Sequence, residues 1–343
     1  MNFLKKSAIL IFMSVLFIIV LSFIIVGKEN GGDSLPEFIM KSKNIIFRED
    51  HDNSKSIRVY ITEKHKIEEM SLEDYVLGVV AGEMPAEFSK EALKAQAVAA
   101  RTFGAAHMEV YGGKKYKSNT GADVCDTVAC QVFQSKENRM NTWPKAKAEE
   151  YWDKIEQAVQ ATSGQVLSYK GKLVMEPYYF AISGGRTENA EDVFKEGEGY
   201  LKSVKSPEEE SAHNKYKTSV GMSYKNFVDK VNMYYPSSGL SLKSLSKEVN
   251  VQNRTEGGAV KEIKLGSVTI SGTKFRAIMG LNSTNFTVYF KDKVYIECLG
   301  YGHRVGMSQW GANTMAKEGK NYMQILSHYY TGISLKNVSL FLK

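Results

Sequence analysis

Hydrophobic and polar positions divide this chain into three regimes. Residues 8–26 are uncharged and mostly apolar, with Lys5 and Lys6 before them and the polar Gly27-Lys28-Glu29-Asn30 after them. That stretch is about as long as a bilayer core requires. The lysines on its N-terminal side predict a single transmembrane helix with residues 1–7 in the cytoplasm and the bulk of the chain exported from the cell membrane. A cleaved signal peptide is the alternative, but the run exceeds a usual apolar signal core and no small-x-small cleavage site follows. Residues 27–55 open rich in Gly, Glu, Asp and Ser and form a linker and lead-in.

From residue 56 onward, short patterned segments predict a globule of one large domain or two subdomains. Strand-like runs occupy 56–61 and 75–80, and an alanine-rich helix follows over 91–108. Ser89 is its N-cap, and Leu93, Ala97, Ala100 or Arg101, Gly104 and Met108 keep step on one face. Gly112-Gly113 ends it, and 114–141 is polar and irregular. A second helix runs from Pro144 through Trp152, Ile155 and Val159 to Thr162. Residues 165–182 alternate as a hairpin does, turning at Lys170-Gly171. A helix capped by Ser223 covers 224–234. Strands follow at 260–265, 268–270, 273–277, 286–290 and 294–298, and helices at 308–317 and 322–329 close the pattern. Hairpins mixed with separated helices predict an α+β fold, not alternating βαβ units.

Charge narrows the partners. The formal net charge is +7, so an exported surface of this sign is drawn to anionic wall polymers or lipid headgroups; nucleic acid is excluded as a partner outside the membrane. Cys125, Cys130 and Cys298 are too few for a disulfide scaffold. Cys125 and Cys130, five apart in a loop, are read first as a local disulfide, second as two zinc ligands and third as free thiols. A zinc site normally takes four ligands, for which His303 and Cys298 are the candidates to complete the set.

Candidate chemistry concentrates in a few segments. Glu83 is the one carboxylate of Ala81-Gly82-Glu83-Met84-Pro85, between an apolar run and a helix. A carboxyl group so placed loses hydration when ionised, so its pKa rises and it can hold a proton near neutrality, as a general acid must. A surface cap is the plain alternative. Gly300-Tyr301-Gly302-His303-Arg304-Val305-Gly306-Met307-Ser308-Gln309-Trp310-Gly311 offers close backbone approach, several donors and one flat apolar face, a set suited to sugars. It lacks the spacing of a phosphate or dinucleotide loop. Ser183-Gly184-Gly185-Arg186-Thr187 is a second glycine loop at a strand end. Ser183, or Ser308 with His303, is weighed as a nucleophile, but no Gly-x-Ser-x-Gly elbow exists and no acid orients the histidine.

Four ordered blocks resemble the stage II sporulation protein D family, which also includes the amidase-enhancer proteins. They are residues 72–85 continuing into 91–102, residues 183–188 with Tyr179 before them, residues 276–286, and residues 302–312 with the Tyr329-Tyr330-x-Gly332 ending. The resemblance spans about 72–335. It implies a peptidoglycan lytic transglycosylase with Glu83 as its catalytic residue. Such an enzyme cleaves the bond from N-acetylmuramic acid to N-acetylglucosamine in denuded glycan strands and leaves 1,6-anhydro ends. No cofactor is required for that chemistry. The glycan would lie along the Glu83 turn, the Ser183 loop and the Gly302 loop, with Arg101, Tyr179, Ser183, His303 and Gln309 as substrate contacts. The resemblance further implies engulfment during sporulation, beside the amidase stage II sporulation protein P and the membrane protein M. The contrasting expectation is a noncatalytic wall-binding enhancer of a partner amidase. Two departures stand out: Tyr179-Phe180-Ala181 replaces the Tyr-His-Ser of many relatives, and Ala129 stands where a histidine would support structural zinc at Cys125 and Cys130.

Overall fold

The computed structural model describes residues 56–116, 120–194, 199–208, 213–243 and 245–343. The apolar stretch at 8–26 and the linker after it lie outside these residues, and among the described residues no helix is long and apolar enough to cross a membrane.

Strands β1 (Ser56–Ile61) and β2 (Lys66–Ser71) form an antiparallel hairpin that leads directly into helix α1 (Leu72–Glu83). The run at 75–80, expected as a strand, is the middle of this helix. Local chemistry explains the correction. Ser71 accepts the Asp74 amide at the N-terminus, Glu73 and Asp74 occupy the first turn, and Pro85 closes the far end. The valines look strand-like because the helix is buried almost all round, so its surface shows no polar period.

Helix α2 (Lys90–His107) is the central rod of the first core, packed against α1, helix α4 (Ala148–Gln160), strand β4 (Gln165–Tyr169) and the two C-terminal helices. Its alanines at 92, 95, 97, 99, 100 and 105 are buried. Small side chains there let neighbouring backbones approach closely. Between α2 and α4 lie strand β3 (Val124–Cys125), paired in parallel with β1 through Val59↔Val124 and Tyr60↔Cys125, and a short helix α3 (Lys136–Thr142) that the pattern did not predict. Strand β4 pairs with β5 (Lys172–Leu173) across the expected turn. Strand β6 (Tyr179–Phe180) and helix α5 (Ala190–Phe194) follow.

A second core forms from 227–298. Its two sheets have the orders β11-β12-β7 and β10-β9-β8, all antiparallel. They comprise β7 (Lys217–Met222), β8 (Val249–Arg254), β9 (Val260–Leu265), β10 (Val268–Ser271), β11 (Phe286–Phe290) and β12 (Val294–Leu299). Helices α6 (Tyr224–Tyr234), α7 (Leu245–Glu248) and α8 (Gly272–Met279) accompany them. Residues 273–277, expected as a strand, belong to α8. Ser271 caps its start, where its hydroxyl accepts the Lys274 amide, and Gly280 ends it in the left-handed conformation. The chain then returns to the first core through β13 (Met307–Ser308), α9 (Gln309–Lys317), α10 (Tyr322–Tyr329) and β14 (Ile333–Asn337). Mixed helices and largely antiparallel sheets make this an α+β fold; β1/β3 and β6/β13 are its parallel pairs among the described residues.

Candidate functional site

Glu83 is the last residue of α1, and its surroundings follow from two glycines one turn apart. A side-chain carbon at Gly82 would lie 2.4 Å from the Val132 carbonyl oxygen, and one at Gly78 would lie 2.3 Å from the Phe133 ring. Without those carbons, residues 131–134 rest directly on the helix, and the Gln134 amide donates to the Gly78 carbonyl. The Val132 amide thereby donates to Glu83 Oε1 at 2.7 Å.

From the other side, β13 pairs with β6 in the register Met307↔Tyr179 and Ser308↔Phe180. Gly306 makes that pairing possible: it has φ +82°, and a side-chain carbon there would meet the Tyr178 carbonyl at 1.9 Å. The register brings Tyr179 and Gln309, remote in sequence, to the same carboxyl group. Gln309, the first residue of α9, donates from Nε2 to the Glu83 carbonyl at 3.3 Å, and both its side chain and that of Tyr179 hydrogen-bond the carboxylate. Burial raises the Glu83 pKa above the ordinary carboxylate value, and the Val132, Gln309 and Tyr179 hydrogen bonds only partly offset it. The result is a partly buried acid whose protein partners, among the described residues, are neutral donors.

A second layer surrounds Tyr179. Gln131, 1% exposed, donates from Nε2 to the Tyr179 hydroxyl at 2.9 Å, and its Oε1 accepts from the Tyr75 hydroxyl at 3.0 Å. Desolvation pushes both tyrosine pKa values well up, so both remain phenols.

The structure disperses the other expected contacts. Arg101 is fully buried and pairs with Glu73 through Nε–Oε1 at 2.8 Å and Nη2–Oε2 at 2.6 Å. Its Nη1 also donates to the Gln165 carbonyl at 3.1 Å. It therefore ties α2 to the start of α1 and to β4, and has no free edge for a sugar. Glu73 is likewise committed, and Asp74 accepts from Ser71, so neither joins Glu83. Ser183 is also fully buried: its hydroxyl donates to Glu208 Oε2 at 2.5 Å, and its amide donates to Glu208 Oε1 at 2.9 Å. The Ser308 hydroxyl donates to the same carboxylate and caps α9 by accepting the Gly311 amide. Glu208 thus knots the two glycine loops together, and among the described residues no hydrogen bond joins either serine to a histidine.

His303 packs among Tyr178, Phe180 and Phe194. Its Nδ1 accepts from the Val305 amide at 3.1 Å, and the ring also bonds the Tyr179 backbone. Burial and nearby Arg276 lower its pKa to about 4. It is a neutral brace behind Tyr179, with no free ring nitrogen to offer a ligand. Next to Gln309, Trp310 stands edge-on to Phe88, with ring centroids 4.8 Å apart.

Cys125 and Cys130 bring their sulfurs to 2.9 Å, beyond the roughly 2.05 Å of a disulfide. The hydrogen bond between the two sulfurs lowers the Cys125 pKa and, together with burial, raises that of Cys130. Tetrahedral ligation with zinc–sulfur bonds of about 2.3 Å would hold two sulfurs roughly 3.8 Å apart. No group of three metal-ligating side chains occurs among the described residues. Cys298, the expected third thiol, is buried in the second core. The residues present in this arrangement do not fit a four-ligand zinc site.

Gln131, Val132 and Glu208 escaped the sequence reading. Neutral amides and backbone groups in an irregular segment carry no periodic or charge signature. The Gly78 and Gly82 spacing was the available clue, since two glycines on one helical face mark close approach by another backbone.

Comparison with known proteins places these features in a group. The sequence pattern of the family described as Stage II sporulation protein matches residues 60–169, which include Glu83, Gln131 and Val132. Stage II sporulation protein D of Bacillus amyloliquefaciens and that of Bacillus subtilis (strain 168) are each 38% identical over 288 residues, covering 84% of this chain and 80% of theirs. An amidase enhancer of Bacillus subtilis (strain 168) is 29% identical over 306 residues, covering 75% of this chain and 40% of its own length.

Proposed function

Because the chain belongs to the stage II sporulation protein D family, we propose that it is a peptidoglycan lytic transglycosylase with Glu83 as its acid and base. The observation that carries the reading is a partly buried carboxyl with a raised pKa, surrounded by neutral donors. In the first step the Glu83 proton passes to the oxygen that bridges N-acetylmuramic acid C1 to N-acetylglucosamine. The C1–oxygen bond breaks, with its electron pair going to that oxygen. The C6 hydroxyl oxygen of the same muramic acid then bonds to C1, and its proton returns to Glu83. The ring closes as 1,6-anhydro-N-acetylmuramic acid and the enzyme is regenerated. Neither a nucleophilic side chain nor an attacking water takes part, so a single carboxyl suffices where paired-carboxylate glycosidases need two. Val132, Gln309 and Tyr179 stabilise the carboxylate as it forms and yield it back to the protonated state without a competing charge.

The substrate class is glycan freed of stem peptides. The setting is engulfment, with an N-terminal anchor at 8–26 holding the domain outside the cell membrane beside an amidase and a membrane partner, stage II sporulation proteins P and M. A second reading, a noncatalytic enhancer of a wall amidase, draws on the similarity to a protein named as an amidase enhancer.

Mass spectrometry of peptide-free glycan incubated with the purified chain, without any amidase, tests both. Anhydro ends are expected from the natural sequence. Glu83→Gln keeps the size of the side chain and removes the acid, so product formation should fall by about 100- to 10,000-fold while glycan binding persists. Intact strands from the natural sequence would favour the enhancer reading, and an unchanged rate in Glu83→Gln would remove Glu83 from the chemistry.

A further inference from the structure

A tyrosine hydroxyl can donate one hydrogen bond and also accept, so its effect on a neighbouring carboxyl depends on which role its other neighbours leave open. At Tyr179 that choice is made by Gln131. The amide Nε2 donates to the Tyr179 oxygen, and the amide is held in this orientation because its Oε1 accepts the Tyr75 proton. The Tyr179 proton, unused by Gln131, is free for Glu83. We propose that Gln131 is a positioning residue that keeps Tyr179 a donor toward Glu83, so that the acid proton of Glu83 meets no acceptor on the protein and is presented to the substrate.

The inference rests on Glu83 being the acid of the reaction proposed above. The chain Tyr75→Gln131→Tyr179→Glu83 runs from the interior to the site, with every proton pointing the same way. Reversing the middle member reverses the outcome. With a carboxylate at 131, Tyr179 donates inward and its oxygen becomes an acceptor for the Glu83 proton, which diverts that proton from the glycosidic oxygen. The titratable groups that face this chain are Glu83 and Tyr75 on α1, Cys125 at the end of β3, Cys130 just before Gln131, Tyr179 on β6 and Tyr330 after α10. The Cys125 thiol is lowered by its hydrogen bond with Cys130, so the readout must belong to Glu83 alone.

The experiment follows the Glu83 carboxyl carbon by 13C NMR in the full-length chain labelled at glutamate Cδ, assigned by subtraction of Glu83→Gln. Loss of one charge-assisted hydrogen bond corresponds to about one pH unit or more. Gln131→Glu and Tyr179→Phe are each expected to raise the midpoint by about that much. Gln131→Glu should have a smaller effect in the Tyr179→Phe background than alone, because only its through-space charge remains. Gln131→Met, which carries no charge, should raise the midpoint less and covers a failure of the first variant to fold, with melting temperature measured alongside. In product assays, the high-pH limb of anhydro formation should move with the NMR midpoint. A midpoint unmoved by both position-131 variants, or a Gln131→Glu shift equally large without the Tyr179 hydroxyl, would overturn the proposal. NMR shifts as expected in a chain that yields no anhydro product would support the relay and defeat the transglycosylase reading instead.

Discussion

At the scale of single residues, burial separates the reactive group from its supports. Glu83, Arg101, Ser183 and His303 all read as polar residues in suggestive motifs, yet the structure gives them different tasks. Arg101 is saturated by Glu73 and backbone carbonyls, Ser183 by Glu208, and His303 by the Val305 amide and an aromatic wall. Sequence shows that such residues are chemically capable, and cannot show that their capacity is already spent. His303 has a measurable consequence. Its pKa is lowered from 6.5 to about 4, so the unfolded chain binds this proton more readily than the folded one. The stability His303 contributes is present above pH 6.5 and is lost as pH falls through about 4. From the size of the shift, the loss over that window is about 3 kcal/mol. Urea unfolding of the natural sequence and of His303→Gln at pH 7, 5.5 and 4.5 checks this: the difference between them should change progressively across the series, and parallel curves would refute it.

Among elements, the site is an encounter of three pieces: the end of α1, the segment 131–134 and the β6/β13 pair. Glycine decides the first contact. Alanine is favoured over glycine inside a helix by up to about 1 kcal/mol, so Gly82→Ala should stabilise α1 in isolation. The added carbon would fall 2.4 Å from the Val132 carbonyl, which the backbone relieves only by lifting 131–134 off the helix. The clash outweighs the propensity gain. Loss of the Val132 donor to Glu83 is expected to lower anhydro product by about 10- to 100-fold, the equivalent of one hydrogen bond to a charged group. Circular dichroism should keep its helical signal. Full activity in Gly82→Ala would mean that this contact does not support the acid. The helix itself was misread from sequence because Tyr75, Val76, Val79 and Val80 are all buried, leaving the valines as the stronger local signal.

On the scale of the whole molecule, the second core is joined to the first partly through a buried ion pair. Arg304 and Glu188 are both fully buried, with Nη1–Oε1 at 3.0 Å. Arg304 also donates to the Gly257 carbonyl at 2.6 Å, and Glu188 accepts the Ala259 amide at 3.1 Å, so both reach the β8–β9 connection. Removing one partner strands the other charge in the interior, which costs about 3–5 kcal/mol. Arg304→Met should therefore lower the melting temperature by roughly 10 °C. Adding Glu188→Leu should restore part of it; a double variant no better than the single would assign the loss to packing alone. The sequence by itself determined the α+β class, the cap at Ser223, the turn at Lys170-Gly171, and Glu83 as the candidate acid. These depend on local patterns of period, capping and composition. Tertiary structure alone decided that Arg101, Ser183 and His303 are braces, and that Val132, Tyr179 and Gln309 converge on one carboxyl group. Those outcomes depend on which surfaces lose water and which backbones meet across long sequence separations, and no local pattern encodes either.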